Sequence, residues 1–463
     1  MERKIDSVLE EWKASNDGKA LIITGCRQIG KTYSVREFGK TYDSFIELNL
    51  EDNRSLRELF KGDLSADSFL DRLSFIPGTD IVDGNTLLFI DEIQSCKEAI
   101  SSLKPLAQSK RIHVIASGSL LGIRLKGRKS ESADEGEDRL SPKGYTRTVR
   151  MHSMDFEEFL WAMGVSKNVT RNIAECIREE KPLDGFTLEK TEDLFRRYLL
   201  VGGMPQAVQM YADSLDYGKV MNSLDWIRSV LYEDITRYTL GLNPLLIRTC
   251  LESVPSQLAK ENRRFEYRDV EMVANKGARE YGPSIEWLKS AGIVDACYSL
   301  NEPKMPLNIN ENRSLFKLYL SDTGLLALFL GPEASSMVMK DVLSNNGAFM
   351  ENAVSCALIR SGYVPRYFAT KDGRLEVDFV ISDGRRTIAL EVKSGKKKGS
   401  KSLLKLRDSN YGVSKLVKIC EGNVEYDTNG TLHLPLFAPC FFEQPKQIEL
   451  GEIDYIDDLN RRY

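Results

Sequence analysis

Histidine is scarce in this 463-residue chain: His113, His152 and His433 are the only three. None stands in a recognisable arrangement with a serine and an acid, which argues against a Ser-His-Asp hydrolase. The eight cysteines, at 26, 96, 176, 250, 297, 356, 420 and 440, form no C-x-x-C pair. Neither a disulfide framework nor a structural zinc site is expected; they read as scattered reduced thiols. Long apolar runs are missing too. The longest, Leu325–Leu330, has six residues, against about 20 for a membrane-spanning helix. The first residues, MERKIDSVLEEWK, are charged and helical in pattern with no apolar signal core, so a cytoplasmic protein without a membrane partner is the expectation. Charge of one sign is not in excess: 64 Lys+Arg face 68 Asp+Glu, a net −4. That excludes a wholly basic chromatin-type protein but leaves room for a local basic patch. The hydrophobic share, 42%, is ordinary for a folded chain. The length suggests about three domains.

What is present begins with alternation. Strand patterns at 20–24 (ALIIT), 44–48 (SFIEL), 86–91 (TLLFID), 111–117 (RIHVIAS) and 146–152 (TRTVRMH) are separated by helical patterns. This predicts a parallel α/β sheet. Residues 126–143 carry high charge and almost no apolar side chains, the composition of a surface loop. From Asp155 the periodicity is helical through about Tyr238, broken by Gly202-Gly203-Met204-Pro205. The expected division is an α/β core over 1–153, a helical lid over 154–240, a middle region over 241–335, and a mixed α/β domain over 336–463.

The strongest motif is Gly25-Cys26-Arg27-Gln28-Ile29-Gly30-Lys31-Thr32, a G-x-x-x-x-G-K-[ST] directly after a predicted strand and before a predicted helix. Glycines let backbone N–H groups curl around phosphates, and the helix N-terminus adds positive potential. Lys31 can reach the β/γ-phosphates and the Thr32 hydroxyl can ligate Mg²⁺. The competing reading is an ordinary glycine turn. A second element, Leu87–Ile90 followed by Asp91-Glu92, ends an apolar strand in two acids. Asp91 is placed to hold Mg²⁺, and Glu92 to polarise an attacking water rather than serve as a plain loop carboxylate. The fourth strand ends in Ser117-Gly118-Ser119, where Ser117 or Ser119 can sense the γ-phosphate.

With these motifs in place the chain resembles the large group of uncharacterised bacterial and archaeal AAA-type ATPases that carry a C-terminal domain of unknown function. The resemblance rests on GCRQIGKT (25–32), LLFIDEIQ (87–94), ASGSLLGI (116–123), DFEEFLWAMG (155–164), YLLVGGMPQAV (198–208), LYLSDTGLLA (318–327) and LEVDF with ALEVKSG (375–395). It implies ATP and Mg²⁺ as cofactors and ATPase activity. The insertion at 126–143 departs from the pattern and leaves the nearby arginines hard to place. Arg124, Arg128, Arg147 and Arg150 are the arginine-finger candidates, each against the reading of a surface arginine. Because such a finger can come from a neighbouring copy, a homo-oligomer is among the expected partners. The Gly202–Pro205 turn resembles a nucleotide-facing lid motif of related ATPases, or is simply a helix break.

Residues 266–300 resemble a winged helix, with a first helix over about 267–275, a second from Ser284 to about Ser290, and a wing-like hairpin. Lys276, Arg279 and Lys289, with Arg263 and Arg264, would touch DNA, although SIEWLKS is poor in base-reading side chains. Farther on, Glu351 lies in a helical pattern, Asp378 on a strand and Glu391-Val392-Lys393 on the next. This E…D-x₁₂-E-x-K set resembles the PD-(D/E)XK nuclease core. Alternation puts Glu391 and Lys393 on one face of their strand, with Asp378 beside them. Asp378, Glu391 and Glu351 are then candidate Mg²⁺ ligands, and Lys393 the residue that activates water. Residues 393–418 hold nine Lys/Arg against the single acid Asp408, a stripe suited to a nucleic-acid backbone or to plain solvation.

Three functions compete on this reading: an ATP-gated Mg²⁺ nuclease, a regulatory ATPase switch whose C-terminal domain binds DNA or protein without cutting, and an ATP-driven protein remodeller.

Overall fold

The structure is a computed structural model that describes residues 1–118, 144–239, 241–271, 277–331, 347–370, 372–384, 386–393, 401–409 and 411–443. The chain divides into two compact units. The first comprises residues 1–170, 193–296 and 318–342, and the second 171–192, 297–317 and 343–463.

The first unit is built on strands β1 (Ala20–Thr24), β2 (Ser44–Asn49), β3 (Thr86–Asp91), β4 (His113–Gly118) and β5 (Thr146–Arg150). They form one parallel sheet in the order β2-β3-β4-β1-β5. Every residue of β1 and β3 is buried, as expected of parallel strands covered on both faces. Leu88, Ile90 and Ala116 pack with Leu103, Leu106 and Phe69 from the flanking helices. The order matters to the site: β4 lies between β1 and β3, so the end of β4 stands between the glycine loop after β1 and the acids that end β3.

Helix Lys31–Gly39 follows the loop, and helix Phe156–Ala162 starts with a reciprocal cap. Asp155 accepts from the Glu158 amide, and the Glu158 carboxylate accepts from the Asp155 amide, each at 2.9 Å. Further helices span Gly185–Val201, Pro205–Ser214, Tyr217–Arg237, Pro244–Leu258, Ala278–Ser290 and Thr323–Leu330. The break at 202–205 is a packing joint. A Cβ on Gly203 would lie 1.9 Å from the Met154 carbonyl oxygen, and one on Gly202 would lie 2.2 Å from Asp322 Oδ1. Asp322 explains the crowding: it caps helix Thr323–Leu330 through the Gly324 amide and also accepts from the Gly203 amide at 2.8 Å.

The second unit carries a mixed sheet that completes with β6 (Val294–Leu300), β7 (Glu311–Leu320), β8 (Arg366–Ala369), β9 (Glu376–Ser382), β10 (Thr387–Val392), β11 (Lys415–Ile419), β12 (Glu425–Tyr426) and β13 (Leu432–Leu434). The order is β12-β13-β11-β10-β9-β8-β6-β7. Helix Gly347–Arg360 is buried from Ala348 to Leu358, mostly small and apolar residues but with Glu351 and Asn352 buried among them. Between β8 and β9 the register slips by one residue, Arg366 facing Val380 and Phe368 facing Val377. The bulge falls at Asp378-Phe379, where it re-aims side chains.

The five N-terminal strands stand where alternation predicts them, and the fold class is α/β. Two expectations change. The wing-like hairpin is no small appendage: β6 and β7 join the eight-stranded sheet, with β6 pairing in parallel with β8. The helix expected over 267–275 is a single 3-10 turn at Tyr267–Asp269, and 272–276 lie outside the described residues.

Candidate nucleotide site

The loop leaves β1 under tight constraint. A Cβ on Gly25 would fall 2.3 Å from the Met151 carbonyl oxygen, and Gly30 has φ 91°, so both glycines are required by the backbone path. The loop's outer carbonyl, that of Ile29, accepts from Arg3 Nη1 at 2.9 Å. Arg3 is buried, donates also to the His152 carbonyl, and pairs with Glu158 at 3.0 Å. An amino-terminal arginine thus splints the loop. Its only sequence signal is a cation just before a helix, which any surface residue could equally give. Pro205 Cγ lies 3.6 Å from where a Cβ on Gly30 would sit, so the Gly202–Pro205 joint abuts the loop.

Lys31 is buried, and its ammonium donates to the carbonyls of Gly25 at 3.1 Å and Cys26 at 2.7 Å. Burial lowers its pKa. Burial likewise pushes the Cys26 thiol up to about 11, so no thiolate competes for the site. Asp91, at the end of β3, receives two hydroxyls. Thr32 Oγ1 donates to Oδ2 at 2.9 Å, and Ser117 donates to Oδ1 from the end of β4. Asp91, Thr32 and Ser117 therefore converge. Ser119, Arg124 and Arg128 lie outside the described residues. Arg147 is exposed, and Arg150 pairs with Asp295 at 3.4 Å.

Glu92 adopts φ 53°, rare for a residue with a side chain. Its carboxylate accepts from Gln94 and lies 3.9 Å from Arg27. Burial raises its pKa against the opposing charges of Arg27 and Lys31. Arg27 also donates to Glu51 Oε2 at 3.0 Å and Tyr238 Oη at 2.8 Å, and sits 3.3 Å from Asp234. Glu51 is held below the usual carboxylate range despite its burial, by the Tyr238 hydroxyl and the charges of Arg27 and Arg237. An open polar cavity of about 590 Å³ is lined by Thr32, Asp91, Glu92, Glu51, Arg27 and Arg237 among others. Glu51, Asp234 and Tyr238 were not legible as site residues, because nothing in their local sequence says which distant loop they meet.

In the second unit Asp378 and Glu391 lie on adjacent strands with Lys393 just beyond the second, while Glu351 is engaged by Lys317. Asp378 Oδ2 accepts from the Val392 amide at 2.8 Å, and Glu391 Oε1 pairs with Lys393 at 2.9 Å. Glu391 Oε2 is buried without a hydrogen-bond partner. Glu351 faces Lys317 from β7, a fully buried lysine whose ammonium is 3.5 Å from Glu351 and 3.1 Å from Glu376. Among the described residues no group of three or more His, Cys, Asp or Glu is disposed to hold a metal ion. Of the basic stripe, Lys418 is buried and Lys415 is engaged by Glu180, while Lys401 and Lys405 are exposed. Lys396, Lys397 and Lys398 lie outside the described residues, as does Lys276. Arg279 is exposed and Lys289 pairs with Glu286. No described helix is long and apolar enough to cross a membrane.

A parallel sheet, a glycine loop feeding a helix N-terminus, and a buried acid sharing hydroxyls with that helix define a P-loop nucleotide-binding domain. The comparisons agree: the model of an AAA domain family matches residues 17–160, so this part is an AAA-type P-loop ATPase domain. Two domains of unknown function match the rest, DUF8612 over 192–336 and DUF4143 over 346–438. The uncharacterized protein MJ1637 of Methanocaldococcus jannaschii is 27% identical over 249 residues, 51% of this chain and 46% of its own length. The chain thus spans about half the length of that relative. Among solved structures, the Walker-type ATPase PABY2304 of Pyrococcus abyssi aligns at 12% identity over 71% of this chain and 95% of its own, with a TM-score of 0.42. A signal-transduction ATPase with a tetratricopeptide repeat sensor from Pyrococcus horikoshii aligns at 13% identity over 78% of this chain and 48% of its own, with a TM-score of 0.27.

Proposed function

We propose that this chain binds ATP with Mg²⁺ at residues 25–32 and hydrolyses it slowly, and that its second unit binds a nucleic acid or protein partner as a module switched by that ATPase. The observation that carries the nucleotide reading is the convergence of Thr32 and Ser117 on Asp91. An acid that already gathers two hydroxyls offers the all-oxygen donor set a hard cation takes, so the residues fit Mg²⁺. Thr32 and Asp91 would hold the ion, and when bound it supplies positive charge to the β- and γ-phosphates. Lys31 exchanges its two loop carbonyls for phosphate oxygens, a better partner for a buried ammonium. Ser117 stands where it can sense the γ-phosphate, and Glu92 orients the attacking water.

The test is calorimetric titration with ATPγS and Mg²⁺, with phosphate release measured in parallel. Lys31→Ala should abolish binding. Glu92→Gln should keep affinity within about threefold and lower turnover by at least ~100-fold. Turnover within about twofold of the parent would remove Glu92 from the reaction.

For the second unit the binding reading is preferred because Glu351 already has a buried counter-ion in Lys317. The nuclease reading is favoured by one observation, the buried partnerless Glu391 Oε2 near Asp378. Incubation with single- and double-stranded DNA, with Mg²⁺ or Mn²⁺ and with or without ATP, separates them. Retention without cleavage supports a module, and cleavage lost in Glu391→Ala reinstates a nuclease. Stimulation of turnover by a protein but not by DNA would point to a remodeller. A cytoplasmic location and self-association belong to the same proposal.

A further inference from the structure

In the glycine loop, the Arg27 side chain meets three distant segments at once. Its guanidinium, one-fifth exposed, touches Glu51 just beyond β2, Glu92 just beyond β3, and both Asp234 and Tyr238 near the end of helix Tyr217–Arg237. Arg237 adds a second cation on Glu51 at 2.6 Å. Two cations therefore face three carboxylates around one loop residue. Trp287 Nε1 donates to the Tyr238 carbonyl at 3.0 Å, so this helix end is also held from behind. A planar guanidinium can serve several elements at once, because its five donors point in fixed directions and it stays charged at every accessible pH. A lysine has one compact charge and cannot bridge the same set.

We infer that Arg27 is a positioning residue: it sets the Glu92 carboxylate for hydrolysis and ties helix Tyr217–Arg237 to the nucleotide loop, so that occupancy of the loop and the hold on that helix are linked through one guanidinium. The inference rests on the ATP reading above. An incoming γ-phosphate adds negative charge near this cluster and shifts the balance of Arg27 between Glu92 and the helix acid Asp234 without itself taking the guanidinium. Loss of Arg27 would leave Glu51 and Asp234 with Arg237 as their remaining cation, and Glu92 with Lys31. The effect belongs in turnover and in the helix, not in affinity.

The experiment uses the full chain with ATP and ATPγS. Three quantities are measured for the parent, Arg27→Gln, Arg27→Lys and Asp234→Asn: the ATPγS dissociation constant, turnover, and backbone hydrogen exchange of residues 217–237 with and without ATPγS. Arg27→Gln should bind within about threefold of the parent, lose at least ~10-fold in kcat, and show no nucleotide-dependent change in exchange over the helix. Arg27→Lys should fail to restore either. Asp234→Asn, which breaks only the helix side, should lose the exchange response and keep most of the turnover. If Arg27→Gln does not fold, Asp234→Asn and Tyr238→Phe carry the test through the same exchange response. Turnover within about twofold of the parent in Arg27→Gln overturns the inference. So does loss of ATPγS binding together with turnover, which would make Arg27 a phosphate ligand. A parent chain that binds no ATPγS sinks the nucleotide reading itself, a result distinct from either.

Discussion

Asp234 is the residue at which the local balance of forces is easiest to measure. It is mostly buried on helix Tyr217–Arg237, and burial pushes its carboxyl up to about 6. Arg27 at 3.3 Å opposes the shift, and Glu92 and Glu51 reinforce it, with Arg237 again opposing. The sign follows from linkage. A carboxyl with a raised folded value holds its proton in the native state after the unfolded chain has released it. That contribution to stability is full at low pH and is lost as pH rises through about 6. Asn at this position never ionises. The Tm of Asp234→Asn minus that of the parent should therefore be more positive at about pH 7.5 than at about pH 4.5. Thermal melts at the two pH values check it. A difference that moves the other way would show that the attraction of Arg27 outweighs burial.

At the scale of elements, the joint at 202–205 sets a glycine with a left-handed backbone, Gly202 at φ 72°, beside one required by close contact, Gly203. Gly203 is there for contact, since its α-carbon faces the Met154 carbonyl with room for hydrogen only. Gly203→Ala should cost at least ~2 kcal/mol, because backbone, unlike a side chain, cannot rotate out of the way. Gly282 is the control. It lies inside helix Ala278–Ser290, where a Cβ would meet nothing within 4 Å. There the same substitution should stabilise by roughly 0.5–1 kcal/mol, by lowering the freedom of the unfolded chain. Chemical denaturation of both variants measures the contrast. At this joint Pro205 lies against Gly30, since its Cγ is 3.6 Å from where a Cβ on that glycine would sit.

At the scale of the whole molecule, the two units carry opposite relations between charge and burial. In the first, the buried acid Asp91 is met by the hydroxyls of Thr32 and Ser117. In the second, the buried acid Glu351 already has an ammonium beside it. Lys317→Met should destabilise the chain by about 3 kcal/mol, since it leaves Glu351 buried with its cation removed. Mn²⁺ should not restore the loss, and in an Asp91→Asn background it should not raise the Tm. Differential scanning calorimetry with and without Mn²⁺ tests both. A clear metal-dependent rise in Asp91→Asn that disappears when Glu391→Ala is added would return Glu351, Asp378 and Glu391 to the role of ligands.

The strands of the first unit and its loop were legible because the controlling interactions are local. Ala20–Thr24 and Thr86–Asp91 are continuous apolar runs, and G-x-x-x-x-G-K-T encodes its own backbone path through the glycines. The convergence of Thr32, Asp91 and Ser117 followed because each ends or begins a recognisable element. Arg3, Glu51, Asp234, Tyr238 and Lys317 were not legible, since a charged side chain carries no mark of the segment it will meet. Arg3 reaches Glu158 across 155 positions of sequence, and Arg27 reaches Tyr238 across 211. The wing became part of an eight-stranded sheet for the same reason: strand pattern specifies an extended segment with one apolar face, but its neighbour is chosen by whichever edge the fold presents. Sequence alone determined the elements and the phosphate loop, through periodicity and glycine geometry acting over a few residues. Tertiary structure decided which charges neutralise one another, because burial makes an unpaired charge costly and only the folded chain determines which partners are within reach.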